Sequence, residues 1–516
     1  MLTVGNDSLF WKGGPLTIAR IGVEMEGAID VEVKIVGLVD DNNRTMKADT
    51  LLDQSHIFVK KRTVQPIWVE CHASPDTPPG RYEGTVKMFA RMLFEDEREV
   101  AKCSFSLVVK PYTLPEPKDY KFYLDLWQHH CNIARKYNMP LWSDGHFTVL
   151  NEYFQSMGQL GQKAVSCVVS DIPWIGQSSF MDPEPSDLFE YSIIGVERDI
   201  DGAFHYDYSS LDRLIELAES QGIDQEIEVF GLLNVWQDPA AGYGGVVEDY
   251  PDGMRVRYFD KRSQRYCFIR HFDHISHYVK SLEAHFIDKG WIDKVRVLAD
   301  EPADMTEFLN RLNTLRSIAP SFKYKIAVNH AEFIRAGIEG ICDFVPIIVC
   351  AANEYEKMQE LRDRISGRLL YYVCCGPQRP NTFVSSPPLE SRLIAWLTEK
   401  LQYDGFLRWS YTAWPDDPLR QISYRASLPT GDMHFVYPGA SGKPMLSLRY
   451  KWLQRGIRDF EFMQLLKAEG RAEAVTQALN DVIRFTHPSE LYAPGKEIGD
   501  LYSLNESDYD RLLHLS

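Results

Sequence analysis

The chain has 516 residues, of which 44% are hydrophobic and 25% charged, and its formal net charge is −17. That length calls for two or three domains and is ample for a large buried core. The negative balance argues against nucleic acid or an anionic membrane as partner, because both repel such a surface.

The first hundred or so residues read as β structure. Val31 to Val36 and Ile67 to Cys71 alternate apolar and polar positions, the period of a half-buried strand. The turn-forming stretch Asp76-Thr-Pro-Pro-Gly80 separates them from Tyr82 to Met88, and a further run covers Cys103 to Val109. This spacing predicts a β-sandwich over residues 1–113. Leu114-Pro-Glu-Pro-Lys118 then reads as a stiff linker.

From about residue 120 strands and helices alternate. Strand signals fall at residues 122–127, 164–170, 226–233, 295–300, 322–328, 344–349, 369–375 and 405–411. Between them lie helical periods: Leu211, Leu214, Ile215 and Ala218, then Met305, Phe308, Leu309 and Leu312. Eight such strands predict an α/β fold built on a (β/α)8 TIM-like barrel over residues 119–440. A doubly wound open sheet is the structural alternative, but no Gly-x-Gly-x-x-Gly follows the first strand. Two long insertions, at 171–208 and 234–263, are placed over the active face. Residues 441–516 read as a C-terminal helical segment.

Catalytic groups in such folds sit at strand ends. Val295-Arg-Val-Leu-Ala-Asp300-Glu301-Pro302 is an apolar strand ending in two carboxylates. Glycoside chemistry needs two such groups, one to deliver a proton and one to steady positive charge. Neighbours on a regular strand point to opposite faces, so a local twist is required for both to reach one sugar. Other strand ends supply Trp127, Gln128 and His129, then Asn234, Asn381, Trp409 and Tyr411, with Trp414 just beyond. Amides, indoles and a phenol suit sugar hydroxyls and C–H faces. Any one of them alone reads more readily as structural.

Other chemistries find less support. His271, His274 and His277 recur every three residues, so they drift around a helix, whereas helical zinc motifs use i and i+4. There is no Gly-x-Ser-x-Gly elbow and no phosphate-binding Gly-Lys-Ser/Thr loop. No cofactor and no metal are expected. The nine cysteines show no Cys-x-x-Cys spacing, and Cys374 and Cys375, in an apolar run, read as buried thiols. No segment has the apolar length to span a bilayer. Residues 1–7 lack the basic and apolar regions of a signal peptide, so a cytoplasmic location is expected.

Taken in order, several motifs resemble glycoside hydrolase family 123 and the wider set of proteins sharing its catalytic domain. They are Asp125 to Arg135 with Leu141 to His146, the pair Asp300-Glu301-Pro302, and Cys374-Cys375 followed by Pro380 to Phe383. Asp404 to Trp409 leading to Tyr437-Pro-Gly439, and the helix from Ser447 to Glu461, complete the set. Pro78 to Val86 looks like the family's accessory β-domain. Gly431-Asp-Met-His434 departs from the pattern, lacking a second glycine after the aspartate.

The resemblance implies a retaining, exo-acting β-N-acetylgalactosaminidase that uses the substrate's own 2-acetamido oxygen as nucleophile. By position, Glu301 would be general acid and then base, and Asp300 would hold the acetamido N–H and steady the oxazolinium charge. Trp127, Gln128, His129, Asn234, Asn381, Trp409, Tyr411 and Trp414 are the expected substrate contacts. The expected partner is an oligosaccharide or glycoconjugate, with no nucleic acid and no membrane, and a homo-oligomer is left open. Two other readings stay open at this point. One is a glycosidase on a sugar without the acetamido group, with Asp300 as direct nucleophile. The other is a non-catalytic carbohydrate-binding protein of the same fold.

Overall fold

The computed structural model describes residues 16–41, 43–59, 63–91, 96–174, 190–233, 243, 254–420 and 428–515. Seven strands come first: β1 (Leu16–Met25), β2 (Ile29–Asp40), β3 (Met46–Leu52), β4 (Ile57–Val59), β5 (Ile67–Ala73), β6 (Gly80–Arg91) and β7 (Arg98–Val109). They form two antiparallel sheets, in the orders β4-β1-β6-β7 and β3-β2-β5. Buried Asp49 of β3 ties this region to the rest of the chain. It accepts from Arg449 of the helix Leu448–Ala468 at 3.0 Å and from the Tyr437 hydroxyl at 2.6 Å. Leu51 N–H adds a bond to Leu446 C=O at 2.8 Å.

The α/β part holds eight parallel strands where the sequence signals fall. They are β8 (Tyr123–Leu126), β9 (Ala164–Val168), β12 (Glu226–Phe230), β15 (Val295–Asp300), β16 (Lys323–Val328), β17 (Ile341–Pro346), β18 (Leu370–Tyr372) and β19 (Gly405–Arg408). Nearly every residue on them is buried, as in strands covered on both faces. The signal at 344–349 is displaced: its strand begins at Ile341, and Ile348 already opens a helix.

A closed barrel is not formed. The ladders part into a five-stranded sheet, β17-β16-β15-β12-β9, and a three-stranded one, β18-β19-β8. Only isolated bridges span the seams, at Leu124–Gln162 on one side and Phe344–Leu369 and Ile347–Tyr372 on the other. At both seams side chains take bonds that a ladder would supply. Gln162 Oε1 accepts from Leu126 N–H at 2.8 Å, and Gln128 Oε1 accepts from Ser166 N–H at 2.7 Å. Opposite, Asp343 accepts from Arg368 N–H at 2.7 Å. The strand periodicity of the sequence carries no sign of these substitutions.

The described parts of the two insertions meet in one small sheet. β10 (Gly195–Arg198) and β11 (Phe204–Asp207) come from the first, and β13 (Arg257–Asp260) from the second. With β14 (Arg265–Phe268), just past the second, they run in the order β11-β10-β13-β14, and β10 lies parallel to β13. The C-terminal region is helical as expected. Its helix Leu448–Ala468 is bound to the helix Pro388–Leu401 by the buried Arg392–Asp459 pair at 2.6 Å. Among the described residues no helix is long and apolar enough to cross a membrane.

Beneath the strand ends lies a buried charge cluster. Lys325 Nζ of β16 meets Glu228 at 2.8 Å, Glu226 at 3.0 Å and Asp125, all four almost fully buried. The Tyr123 hydroxyl donates to Glu226 at 2.7 Å. Asp125, a strand-end carboxylate in the sequence, is thus committed to holding three strands together from within.

Candidate active site

The ends of β15, β16, β18 and β19, with Trp127 just past β8, converge on one cavity. Asp300 closes β15, and Glu301 follows in the left-handed region at φ +49°. That conformation costs a non-glycine residue about 1–2 kcal/mol. It swings Glu301 to the side of Asp300, so both carboxylates line the cavity. Glu301 N–H still finds Ala327 C=O at 2.9 Å, and Pro302 carries no N–H to extend the ladder. The local twist that two adjacent carboxylates need to face one cavity is therefore present.

The Tyr372 hydroxyl, at the end of β18, donates to Glu301 Oε1. Burial pushes Glu301 above the usual carboxylate range, while the bond from Tyr372 and the nearby His330 oppose that shift. Asp300 is pushed up further, by burial first and then by the neighbouring Glu301 charge; a hydrogen bond from Trp174 works the other way. The two groups titrate as a unit.

The remaining wall is aromatic and polar. Trp127, Trp174 and Trp409 line the cavity, with Trp127 and Trp174 ring centres 6.4 Å apart. Asp432 lies at the bottom of the loop after β19. Its Oδ1 accepts from Arg408 and from the Trp409 indole N–H, both at 3.2 Å. Arg449, held by Asp49, donates to Gly431 C=O at 3.0 Å and His434 C=O at 2.9 Å, which fixes that loop. The Asp432 Oδ2 and the Trp127 indole N–H are buried without partners. A buried acceptor and a buried donor left open in a cavity wall suit a polyhydroxylated ligand.

The expected sugar contacts divide. Asp300, Glu301, Trp127 and Trp409 are brought together. His129 stands behind this wall, 5.4 Å from the Trp174 ring and 6.0 Å from Trp409, and burial pushes its pKa down to about 3. Four other described residues turn into the protein instead. Gln128 bonds strand backbone, as above. Asn381 Nδ2 donates to Cys374 C=O at 3.0 Å and Pro377 C=O at 2.7 Å. Buried Tyr411 shares a hydrogen bond with Ser156 at 2.7 Å, and buried Trp414 donates to Val436 C=O at 2.7 Å. Asn234 lies outside the described residues.

Trp174, Tyr372 and Asp432 were not singled out from the sequence. Tyr372 falls inside the 369–375 strand signal, and the strand itself ends early, at Tyr372. Cys374 and Cys375 also differ from expectation: both line the cavity, and Cys375 is exposed. Of the helical histidines, His271 caps the helix Phe272–Asp288 and His277 bonds the Tyr206 hydroxyl at 2.8 Å. Glu32, Glu70 and His72 lie close enough together for a metal ion, but Lys34 and Lys451 already pair with the two glutamates.

The chain resembles, at 19% identity, a family 123 glycoside hydrolase from Clostridium perfringens studied for glycolipid glycan hydrolysis. The match covers 97% of this chain and 88% of that one, with a TM-score of 0.74. Weaker likenesses include a β-glucuronidase from an uncultured Clostridium, at 9% identity over 86% of this chain and 68% of that one, TM-score 0.30. A cyclomaltodextrinase matches at 12% identity over 89% and 84%, TM-score 0.35. No curated protein matches. The model of the glycoside hydrolase 123 N-terminal domain matches residues 36–90. The model of the glycoside hydrolase 123 catalytic domain matches residues 127–466, well over half of the chain, and the protein therefore belongs to glycoside hydrolase family 123.

Proposed function

We propose that this glycoside hydrolase removes terminal β-linked N-acetylhexosamine, N-acetylgalactosamine first of all, with retention through an oxazolinium intermediate. The observation that carries the reading is the Asp300–Glu301 pair, turned by the left-handed Glu301 into one tryptophan-lined cavity. Glu301, raised in pKa, gives its proton to the departing glycosidic oxygen as the substrate's acetamido oxygen attacks the anomeric carbon. Asp300 accepts the acetamido N–H and faces the cation that forms. Water then adds to the anomeric carbon and returns its proton to Glu301. Both displacements invert, so the net outcome is retention.

Burial raises both carboxyls, which gives the substrate a part in setting up the reaction. In the open cavity Asp300 competes with Glu301 for the proton. An acetamido N–H donating to Asp300 favours its charged form, which leaves the proton with Glu301, where it is needed. Trp127, Trp174 and Trp409 pack on sugar C–H faces, and Asp432 Oδ2 and the Trp127 N–H take hydroxyls. Glycoconjugate glycans are the substrate class in this reading, as glycolipid glycans are for the Clostridium perfringens relative. Residues 1–113 serve as an accessory region, 119–440 carry the chemistry and 441–516 brace it.

The test is proton NMR of the first-formed sugar from an aryl β-N-acetylgalactosaminide, together with inhibition by a thiazoline analogue of the oxazoline. Retained configuration and inhibition are expected. Inverted product overturns the mechanism, and a trapped glycosyl–carboxylate adduct replaces it with direct attack by Asp300.

A further inference from the structure

The cavity carries a second reactive group that glycoside chemistry does not use. Cys374 and Cys375 are neighbours in sequence, both line the cavity, and their sulfurs lie 3.8 Å apart. Cys374 is partly buried and Cys375 exposed, whereas Cys131, Cys167 and Cys342 are buried. We propose that Cys374 and Cys375 form an oxidative modification site in the catalytic cavity, closing to a vicinal disulfide with a two-electron oxidant of the peroxide class.

The chemistry balances in two steps. The Cys375 thiolate attacks a peroxide oxygen, the O–O bond breaks, and one proton is taken up to give a sulfenic acid and water. The Cys374 sulfur then displaces the sulfenic oxygen, forming the S–S bond and a second water. Two thiols are oxidised by two electrons, and the peroxide is reduced. Exposure makes Cys375 the attacking sulfur, and a hydrogen bond from the Cys374 S–H holds its pKa below the usual thiol value. The ring is strained: adjacent Cα atoms lie about 3.8 Å apart, inside the usual disulfide span of about 4.4–6.8 Å. Strained bridges are readily reduced, so the modification is reversible.

Ring closure reaches the catalytic pair through the backbone. The ring includes the Cys374 carbonyl, which accepts from Asn381 at 3.0 Å, while Cys374 N–H bonds Gly376 C=O at 3.0 Å. Two residues upstream, Tyr372 holds Glu301. Twisting this peptide therefore shifts the end of β18 against the carboxylate, and a displacement of about 1 Å at the chemistry costs on the order of 10²-fold in rate.

The experiment treats the full chain with hydrogen peroxide, alkylates the remaining thiols and maps the peptides by mass spectrometry. Turnover of an aryl β-N-acetylgalactosaminide is followed in parallel. The peptide carrying both cysteines is expected to lose two hydrogens and resist alkylation while Cys103 still reacts. Turnover should fall on the same time course by about 10²-fold and return with dithiothreitol. Cys375→Ser should keep its own untreated rate in peroxide. A Cys375 sulfinic acid beside an alkylated Cys374, or no change at either, overturns the site. A cross-link that leaves turnover unchanged overturns its coupling to Glu301. A cross-link in a protein that turns over no N-acetylhexosaminide refutes the substrate reading and leaves the cysteine site standing.

Discussion

Asp300→Asn separates substrate assistance from every other use of the carboxylate pair. The replacement keeps size and can keep a hydrogen bond to the acetamido group, but it removes the charge that faces the oxazolinium. At a separation of about 4 Å and an effective dielectric constant of about 20, that charge is worth roughly 4 kcal/mol. A loss of that size is about 10³-fold in kcat, and the retained hydrogen bond makes 10²–10³-fold the expected range. KM should move much less, because the charge develops after binding. Stability should move the other way. Burial and the Glu301 charge raise Asp300 well above its ordinary 3.8 in the folded protein. A carboxyl with a raised folded pKa contributes stability that is full below the unfolded value and is lost as pH rises through the folded one. Asparagine carries no such loss, so Asp300→Asn should melt higher than the parent at neutral pH, with the gap closing below about pH 3.8. The assays are kcat and KM on an aryl N-acetylgalactosaminide, and thermal melts across pH. Near-parental kcat in a folded Asp300→Asn protein refutes the role given to Asp300, and a lower neutral-pH melting temperature refutes the account of its burial.

The other variants test the partners of that charge. Glu301→Gln should lower turnover of unactivated glycosides by about 10²–10⁴-fold and of activated aryl glycosides by less, since those need little protonation; equal losses on both remove Glu301 from the acid role. Tyr372→Phe deletes a donor that opposes the upward shift of Glu301, so the alkaline limb of the kcat profile should move to higher pH; a limb that stays or moves down refutes the assignment. Lys325→Met leaves Asp125, Glu226 and Glu228 buried without their common cation and should cost about 3–5 kcal/mol in urea unfolding; a loss below 1 kcal/mol at neutral pH refutes the bracing role given to Lys325.

What is local was legible along the chain. The apolar run Val295 to Ala299 announces a buried strand, and Asp300-Glu301-Pro302 announces its carboxylate-bearing end, because a proline and two carboxylates are legible without any partner. The ordered motifs resembled the family that the domain models identify. Tertiary structure decided what depends on residues distant along the chain. Tyr372 reaches Glu301 across 71 positions, and Asp432 reaches Trp409 across 23. Gln128, Asn381, Tyr411 and Trp414 have the chemistry of sugar contacts, yet each spends its polar atoms on a buried partner within the protein, and satisfying a buried group takes precedence. The seams at β8–β9 and β17–β18 follow the same logic. An amide or carboxylate can take a strand's hydrogen bond as well as another strand can, and hydrophobic periodicity, which reports only burial, cannot tell the two apart.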